Sequence, residues 1–248
     1  MSGNQRARVR NGAGMTTSAP DFLARLQVAR AWLHAADPVI AGLIDRRPDY
    51  DPRYRLDGIP PMDLFGALVF QVTGQQLSVA SRRRILDRIQ EMFGGHLPSP
   101  AELLQADPAG LRRAGLSGRK VSTVRDLAER LTDGRLNADA LSALPDEQII
   151  AELTQVPGIG PWTVQGALIL GLNREDVVLP GDLALRKAVR DAYQLDHLPT
   201  PDEVLAIAEQ WRPYRSLATL YLFRAGESTA AVNSDAPLDD SKNVTEVG

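Results

Sequence analysis

The chain has 248 residues, 44% of them hydrophobic and 24% charged, with a formal net charge of −3. This is the balance of a soluble globular protein of one large or two small domains. It contains no cysteine, which excludes disulfides, Cys-type zinc sites, thiolate nucleophiles and iron–sulfur clusters. The three histidines, His34, His96 and His197, share no ligand-like spacing, so any chemistry is expected to rest on a carboxylate or a lysine.

Charge is uneven along the chain. The first fourteen residues carry +3 and the stretch from Gly226 carries −4, leaving the middle at −2. That is no polybasic protein, although local patches can still steer binding to DNA. No run of about eighteen apolar residues is present, so no membrane span is expected. The N-terminus has neither the apolar core nor the cleavage-like site of a secretory signal. A cytoplasmic protein is the expectation.

Residues 1–19 and the tail 227–248 are polar and aperiodic, and are expected to be disordered. Between them helix signals dominate. Phe22, Leu23, Leu26, Ala29, Trp32, Leu33 and Ala36 follow Asp21 as an i, i+3, i+4 stripe. Pro60-Pro61 ends one segment, and Asp63 caps an apolar helix through Val72. Ser78 caps a helix closed by Gly94-Gly95. Ser99-Pro100-Ala101-Glu102 reads as a capping box with proline at the first helical position. Short helices are expected from Asp107 to Gly115 and from Ser117 to Leu131, followed by a linker around Asn137. Further helices span Asp146–Thr154, Pro161–Leu170, Leu183–Tyr193, Pro201–Trp211 (capped by Thr200) and Pro213–Ala225. With no alternating strand pattern, about ten helices with short links predict an all-α fold without internal repeats.

The segment Leu153-Thr154-Gln155-Val156-Pro157-Gly158-Ile159-Gly160-Pro161-Trp162-Thr163-Val164 lies between two of these helices. Gly158 and Gly160 can take unusual backbone angles and admit a close partner, and Ile159 anchors the turn. Pro161 opens a helix whose first N–H groups and dipole face outward, an anion site. The Thr163 hydroxyl adds a donor. A DNA phosphate, held without regard to sequence, suits such a turn. The carbonyls of Thr154, Val156 and Ile159 could hold a monovalent cation, Na+ or K+, bridging to that phosphate.

This motif resembles the helix–hairpin–helix of the DNA base-excision glycosylases, the helix–hairpin–helix-GPD superfamily. That family carries a Gly/Pro-rich segment and an essential aspartate about twenty residues past the hairpin. Here Leu179-Pro180-Gly181-Asp182 falls there, with Asp182 twenty-two residues after Gly160. The similarity is nearest to the AlkA-type 3-methyladenine DNA glycosylase II group. It extends to Gly74-Gln75-Gln76-Leu77-Ser78-Val79-Ala80 and to Trp211-Arg212-Pro213-Tyr214-Arg215-Ser216, covering about residues 20–225.

The resemblance implies a two-lobed helical fold with the active site in the cleft between lobes. Lobe one would span about 62–180, with the hairpin at 156–160. Lobe two would combine 20–61 with 181–226. It implies a monomer that binds double-stranded DNA containing damaged bases, requires no cofactor and associates with the nucleoid.

By its local sequence Asp182 is most simply an N-cap. The resemblance makes it the catalytic carboxylate as well, stabilising the positive charge that builds on the deoxyribose and orienting water. Arg186, one turn later, would position it or contact DNA, unless it is an ordinary surface arginine. Lyase-competent relatives carry a nucleophilic lysine where this chain has Trp162, which implies a monofunctional enzyme.

No second acid is evident to protonate a neutral leaving base. Alkylated purines such as 3-methyladenine and 7-methylguanine are already cationic and need an aromatic pocket. Trp162, Phe223 and Tyr214 are its candidates, with Tyr221 as a neighbour unless it is core. Gly166, where relatives can be bulkier, implies a more open pocket. Gln76 is the candidate for filling the gap left by the flipped base, with Leu77, equally a core candidate, as fallback. Ser117, Arg119 and Lys120 are candidate phosphate contacts with Gly158 and Gly160. Arg112, Arg113 and Arg125 extend that basic patch, and Arg82-Arg83-Arg84 form another. The expected function is a monofunctional glycosylase for alkylated purines. The alternatives are a glycosylase for deaminated purines such as hypoxanthine and a non-catalytic DNA-binding protein.

Overall fold

The computed structural model describes residues 19–51 and 62–234. These form helices α1 Ala19–Ala36, α2 Pro38–Asp45, α3 Leu64–Gly74, α4 Val79–Met92, α5 Pro100–Gln105, α6 Pro108–Ala114, α7 Gly118–Thr132, α8 Ala138–Ala143, α9 Asp146–Leu153, α10 Pro161–Leu170, α11 Leu183–Tyr193, α12 Pro201–Ala208 and α13 Arg215–Ser234. A 3-10 turn at Glu209–Trp211 follows α12. There is no strand among the described residues, so the fold is all-α. None of the described helices is long and apolar enough to cross a membrane.

Capping chemistry sets most boundaries. Asp63, Ser78, Ser99, Asp107, Ser117 and Asp182 each accept first-turn backbone N–H groups. The capping boxes at Ser99/Glu102 and Thr200/Glu203 are both formed. Gly115, at φ +115, closes α6 in the left-handed region.

Four boundaries differ from the sequence reading. Helix α1 begins at Ala19, before Asp21. Helix α2 was not anticipated: Asp37 accepts from the amides of Val39 and Ile40, and Pro38 supplies the first helical φ. Asn137, read as a linker, caps α8. Helix α13 starts at Arg215 and runs past Ala225 to Ser234, because no glycine or proline lies between Gly226 and Ser234 to stop it. The expected disorder of the tail therefore fails for 227–234. Residues 1–18, 52–61 (including Pro60-Pro61) and 235–248 lie outside the described residues.

Helices α3 to α10 pack mainly on one another, and α1, α2 and α11 to α13 on one another. One continuous apolar core joins the two groups, from Leu26 and Leu33 through Phe70 and Leu168 to Tyr221. Helix α3, apolar on every face, is buried along its whole length and packs against α10. A smaller core around Ile85, Ile89, Leu111 and Val121 holds α4, α6 and α7 together.

The second group is pinned by a buried carboxylate. Asp37 accepts the indole N–H of Trp211 at 2.8 Å and the hydroxyl of Tyr193, while capping α2. Its charge is thereby shared among donors from α2, α11 and the 3-10 turn. The link from α10 to α11 is stapled to the start of α13. Arg215 donates to Asp176 at 2.7 Å, and the Ser216 hydroxyl accepts the Val177 amide and donates to the Arg174 carbonyl. This link delivers Asp182 to the first turn of α11.

Candidate active site

The hairpin between α9 and α10 is a tight turn. The Ile159 amide donates to the Val156 carbonyl at 3.0 Å, and the amides of Thr163 and Val164 close on Gly160 at 3.0 and 3.2 Å. The amides of Gly158, Gly160 and Trp162 have no backbone acceptor among the described residues. These unpaired donors sit at the N-terminus of α10, where its dipole adds positive potential.

The two glycines serve different needs. Gly158 has φ +91, and a β-carbon there would fall 2.2 Å from the Thr123 hydroxyl oxygen. That hydroxyl donates to the Pro157 carbonyl at 2.9 Å. Gly160 has φ −108 and open space where its β-carbon would be. Its smallness matters only to what approaches from outside.

Gln75 ties the hairpin directly to the turn between α3 and α4, and Thr123 and Lys120 tie both to α7. The Gln75 amide donates to the Gly158 carbonyl at 3.1 Å and to the Thr163 hydroxyl at 2.9 Å. The Lys120 ammonium donates to the carbonyls of Thr73 and Gln75 at 2.9 and 2.8 Å. These contacts revise two expectations. Thr163 is 1% exposed with its hydroxyl turned onto Gln75, so it braces the hairpin and is no phosphate donor. Lys120 spends two of its three N–H donors on the last turn of α3 and its C-cap residue, and partial burial lowers its pKa. It is chiefly a strut. Gln75 and Thr123 were missed, because nothing local in sequence marks bonds that span 83 and 34 residues.

The turn held by these bonds presents Gln76 and Leu77 to solvent. Gln76 adopts φ +58 and is exposed, a strained conformation for a residue with a β-carbon. Leu77 is 40% exposed, so it is not core.

Trp162 and Asp182 come together. The indole Nε1–H donates to Oδ2 of Asp182 at 2.6 Å, and Oδ1 accepts the Leu185 amide at 2.9 Å as the N-cap of α11. The carboxylate is thus fixed from both α10 and α11, with the Trp162 ring beside it. Leu183, next in sequence, is 52% exposed, an apolar group at the site that the periodicity did not flag.

The other expected pocket residues are less concentrated. Tyr214 is half-buried and packs edge-on to Trp32, ring centroids 6.0 Å apart. Trp32, part of the apolar stripe of α1, is exposed there. Phe223 is half-buried against the main core. Tyr221 is core: it is buried, packs edge-on to Tyr50 and accepts from Arg30. Gly166 does not open the pocket. The Gln71 side chain fills its place, lying 2.1 Å from where a β-carbon would be. Arg186 makes no side-chain bond to Asp182 among the described residues; it is half-buried and donates to the Pro199 carbonyl at 2.6 Å.

Of the basic patch, Ser117 caps α7, and Arg119 is exposed and carries no ion pair or hydrogen bond among the described residues. Arg125 instead turns inward to the carbonyls of Leu103 and Ala106, satisfying the end of α5. Arg113 reaches Asp107 at 3.3 Å. Arg82 stacks on Phe70 at 4.4 Å and Arg83 pairs with Asp87, whereas the Arg84 charge has no partner among the described residues. Of the carbonyls considered for a cation, Val156 accepts from Ile159, while Thr154 and Ile159 have no amide partner among the described residues. No cluster of three or more His, Asp or Glu side chains suited to a metal ion occurs among the described residues.

The model of the HhH-GPD superfamily base excision DNA repair proteins matches residues 69–213. DNA-3-methyladenine glycosylase 1 of Schizosaccharomyces pombe is 30% identical over 209 residues, covering 84% of this chain and 90% of that protein. DNA-3-methyladenine glycosylase 2 of Escherichia coli is 28% identical over 221 residues, covering 85% and 74%. The chain spans only 59% of the length of two Bacillus subtilis relatives, one of them a DNA-3-methyladenine glycosylase 27% identical over 180 residues. Among solved structures, the S. pombe 3-methyladenine DNA glycosylase Mag1 in complex with abasic DNA superposes with a TM-score of 0.72 at 30% identity, covering 79% of this chain and 95% of that one. The 3-methyladenine DNA glycosylase of Archaeoglobus fulgidus, at 24% identity and a TM-score of 0.67, shares the fold over 85% of this chain and 70% of its own. The chain belongs to the HhH-GPD superfamily of base excision DNA repair proteins.

Proposed function

We propose that this protein is a monofunctional DNA glycosylase that flips out and excises alkylated purines of the 3-methyladenine and 7-methylguanine type, leaving an abasic site. The observation that carries this reading is the Asp182 carboxylate, held by the Trp162 indole at 2.6 Å and by the first turn of α11. As the N-glycosidic bond lengthens, positive charge develops on the deoxyribose. A carboxylate whose orientation is already fixed stabilises that charge without reorganising, and its free lone pairs can orient the attacking water. The departing base is already cationic and needs no proton donor. Trp162 stands where an amine nucleophile would be needed for strand cleavage, so the enzyme hydrolyses the bond and stops.

The unpaired amides of Gly158 and Gly160 take one phosphate, and Ser117 with Arg119 at the start of α7 takes another. Gln76, raised on the strained turn and exposed, enters the stack behind the flipped base, with Leu77 beside it. Gln75 and Lys120 make that turn rigid with respect to the hairpin. Trp162, with Phe223 and Tyr214, supplies aromatic surface for a cationic base. A monovalent cation at the hairpin would be held by the carbonyls of Thr154, Val156 and Ile159 and would bridge to the phosphate. The partner is damaged double-stranded DNA, met by a monomer in the cytoplasm at the nucleoid. The DNA-bound S. pombe neighbour supports the DNA partner.

A panel of duplexes containing 3-methyladenine, 7-methylguanine, hypoxanthine or 1,N6-ethenoadenine, scored for free base, tests this reading. Release of the two cationic purines is expected to be fastest. Faster release of hypoxanthine would favour the deaminated-purine alternative. No release from any duplex would leave only a DNA-binding protein.

A further inference from the structure

Gln71 is buried in α3 at 5% exposure, yet its side-chain amide has no hydrogen-bond partner among the described residues. The buried polar side chains of Asp37, Thr123, Thr163 and Ser216, by contrast, all have partners. The unpartnered hydroxyls of Thr73 and Thr219 are sealed inside the protein, whereas the Gln71 amide is not fully enclosed. An amide in this state costs stability and is retained for another reason.

Its position suggests that reason. A β-carbon on Gly166 would meet Nε2 of Gln71 at 2.1 Å, Cδ at 2.5 Å and Oε1 at 3.1 Å. The amide therefore occupies the space that a side chain at 166 would use. Side chains on a helix lean toward the preceding turn, and the preceding turn of α10 carries Trp162, whose indole holds Asp182. Gly166 lies four residues, ~6 Å, beyond Trp162 along α10, and the amide sits against it.

We propose that Gln71 determines base specificity: its amide hydrogen-bonds the edge of the flipped purine at positions 1 and 6. This rests on the glycosylase reading above. A carboxamide presents a donor and an acceptor side by side. An adenine-type base answers with its 6-amino donor and N1 acceptor, and a guanine-type or hypoxanthine base with its O6 acceptor and N1–H donor. The amide meets either by turning over. Alkylation at N3 or N7 leaves this edge free, while an etheno bridge across N1 and N6 blocks it. Because the amide has no proton to give up, it recognises the base without acting as a general acid.

Gln71→Met keeps the length of the side chain and removes its hydrogen bonds. Release of 3-methyladenine and hypoxanthine by this variant is expected to fall about tenfold or more, in the range of a lost bidentate contact to a base edge. Affinity for a duplex with a tetrahydrofuran abasic site, which offers no base, should stay within about twofold of wild type. The unfolding temperature should hold or rise, because an unpaired buried amide is removed. Release of 1,N6-ethenoadenine should be unaffected or absent in both proteins. Unchanged release of the first two bases overturns the proposal. So does an equal loss on ethenoadenine, a parallel loss of affinity for the abasic duplex, or a variant that unfolds earlier. A wild-type protein that releases no base from any duplex refutes the glycosylase reading itself, a failure the variant comparison cannot produce.

Discussion

The two hairpin glycines should respond differently to the same added methyl group. In Gly158→Ala the backbone must keep φ near +91, which costs an L-residue about 1–2 kcal/mol. The new β-carbon would also sit 2.2 Å from the Thr123 oxygen, so Thr123 must rotate away and give up its bond to Pro157, a further loss of about 0.5–1.5 kcal/mol. The total of about 1.5–3.5 kcal/mol corresponds to about 3–14 °C in unfolding temperature for a chain of this size. Gly160→Ala meets no atom within 4 Å and has an ordinary φ, so its stability should be within about 0.5 kcal/mol of wild type. Its methyl instead stands where a phosphate would approach the free amides, and should weaken binding to an abasic duplex. Thermal unfolding and fluorescence-anisotropy titration of both variants separate the two effects. Adding Thr123→Ala to Gly158→Ala should recover part of the lost stability. Equal destabilisation by the two glycine substitutions, or a Gly158→Ala protein as stable as wild type, would refute the reasoning.

Trp162→Phe keeps an aromatic face but removes the N–H that holds Asp182, and single-turnover base release should slow by about 10- to 100-fold, the worth of a hydrogen bond to a charged group; wild-type rates would show the bond is idle. Asp37→Ala strips an N-cap and leaves the Tyr193 hydroxyl and Trp211 indole unpaired, so a loss of about 3–5 kcal/mol is expected in denaturant unfolding, and a loss below about 1 kcal/mol would contradict the network. The surface pairing of His197 with Asp196, then Glu203, raises the histidine above its ordinary value of 6.5, while the Thr200 amide and then His197 pull Glu203 down to about 2. The histidine's stabilising contribution is therefore complete below 6.5 and lost as pH rises through its folded value. That of Glu203 is present above its ordinary 4.5 and lost as pH falls toward about 2. An NMR titration placing His197 at or below 6.5 would exclude the pairing.

Features set by a few adjacent residues were legible in the sequence. The caps at Asp63, Ser78, Ser99, Asp107 and Ser117 were, because an N-cap bonds only to its own first turn. So was the hairpin, and so was Asp182 twenty-two residues beyond it. Helices α2 and α8 were missed although Asp37-Pro38 and Asn137 carry start signals, because eight- and six-residue helices are too short for a periodic stripe. The roles of Thr163, Lys120 and Arg125 could not be read, since whether a polar side chain faces DNA or a neighbouring carbonyl depends on partners many residues away. Gly166 shows this most clearly. In sequence it marks a gap, and in the fold Gln71 fills that gap from another helix. Gly158 and Gly160 look alike in sequence and differ only because Thr123 lies under one of them.

The central claim is that Asp182 breaks the bond and that no covalent amine step follows. It is tested most directly by incubating wild-type protein and Asp182→Asn with a duplex containing 3-methyladenine, measuring free base by chromatography and strand integrity before and after alkali. Wild type should release the intact base and leave a strand that breaks only after alkali. Asp182→Asn should release at least about a hundredfold less while binding a tetrahydrofuran duplex with unchanged affinity. Undiminished release by Asp182→Asn, or strand breakage by wild type without alkali, would contradict the account.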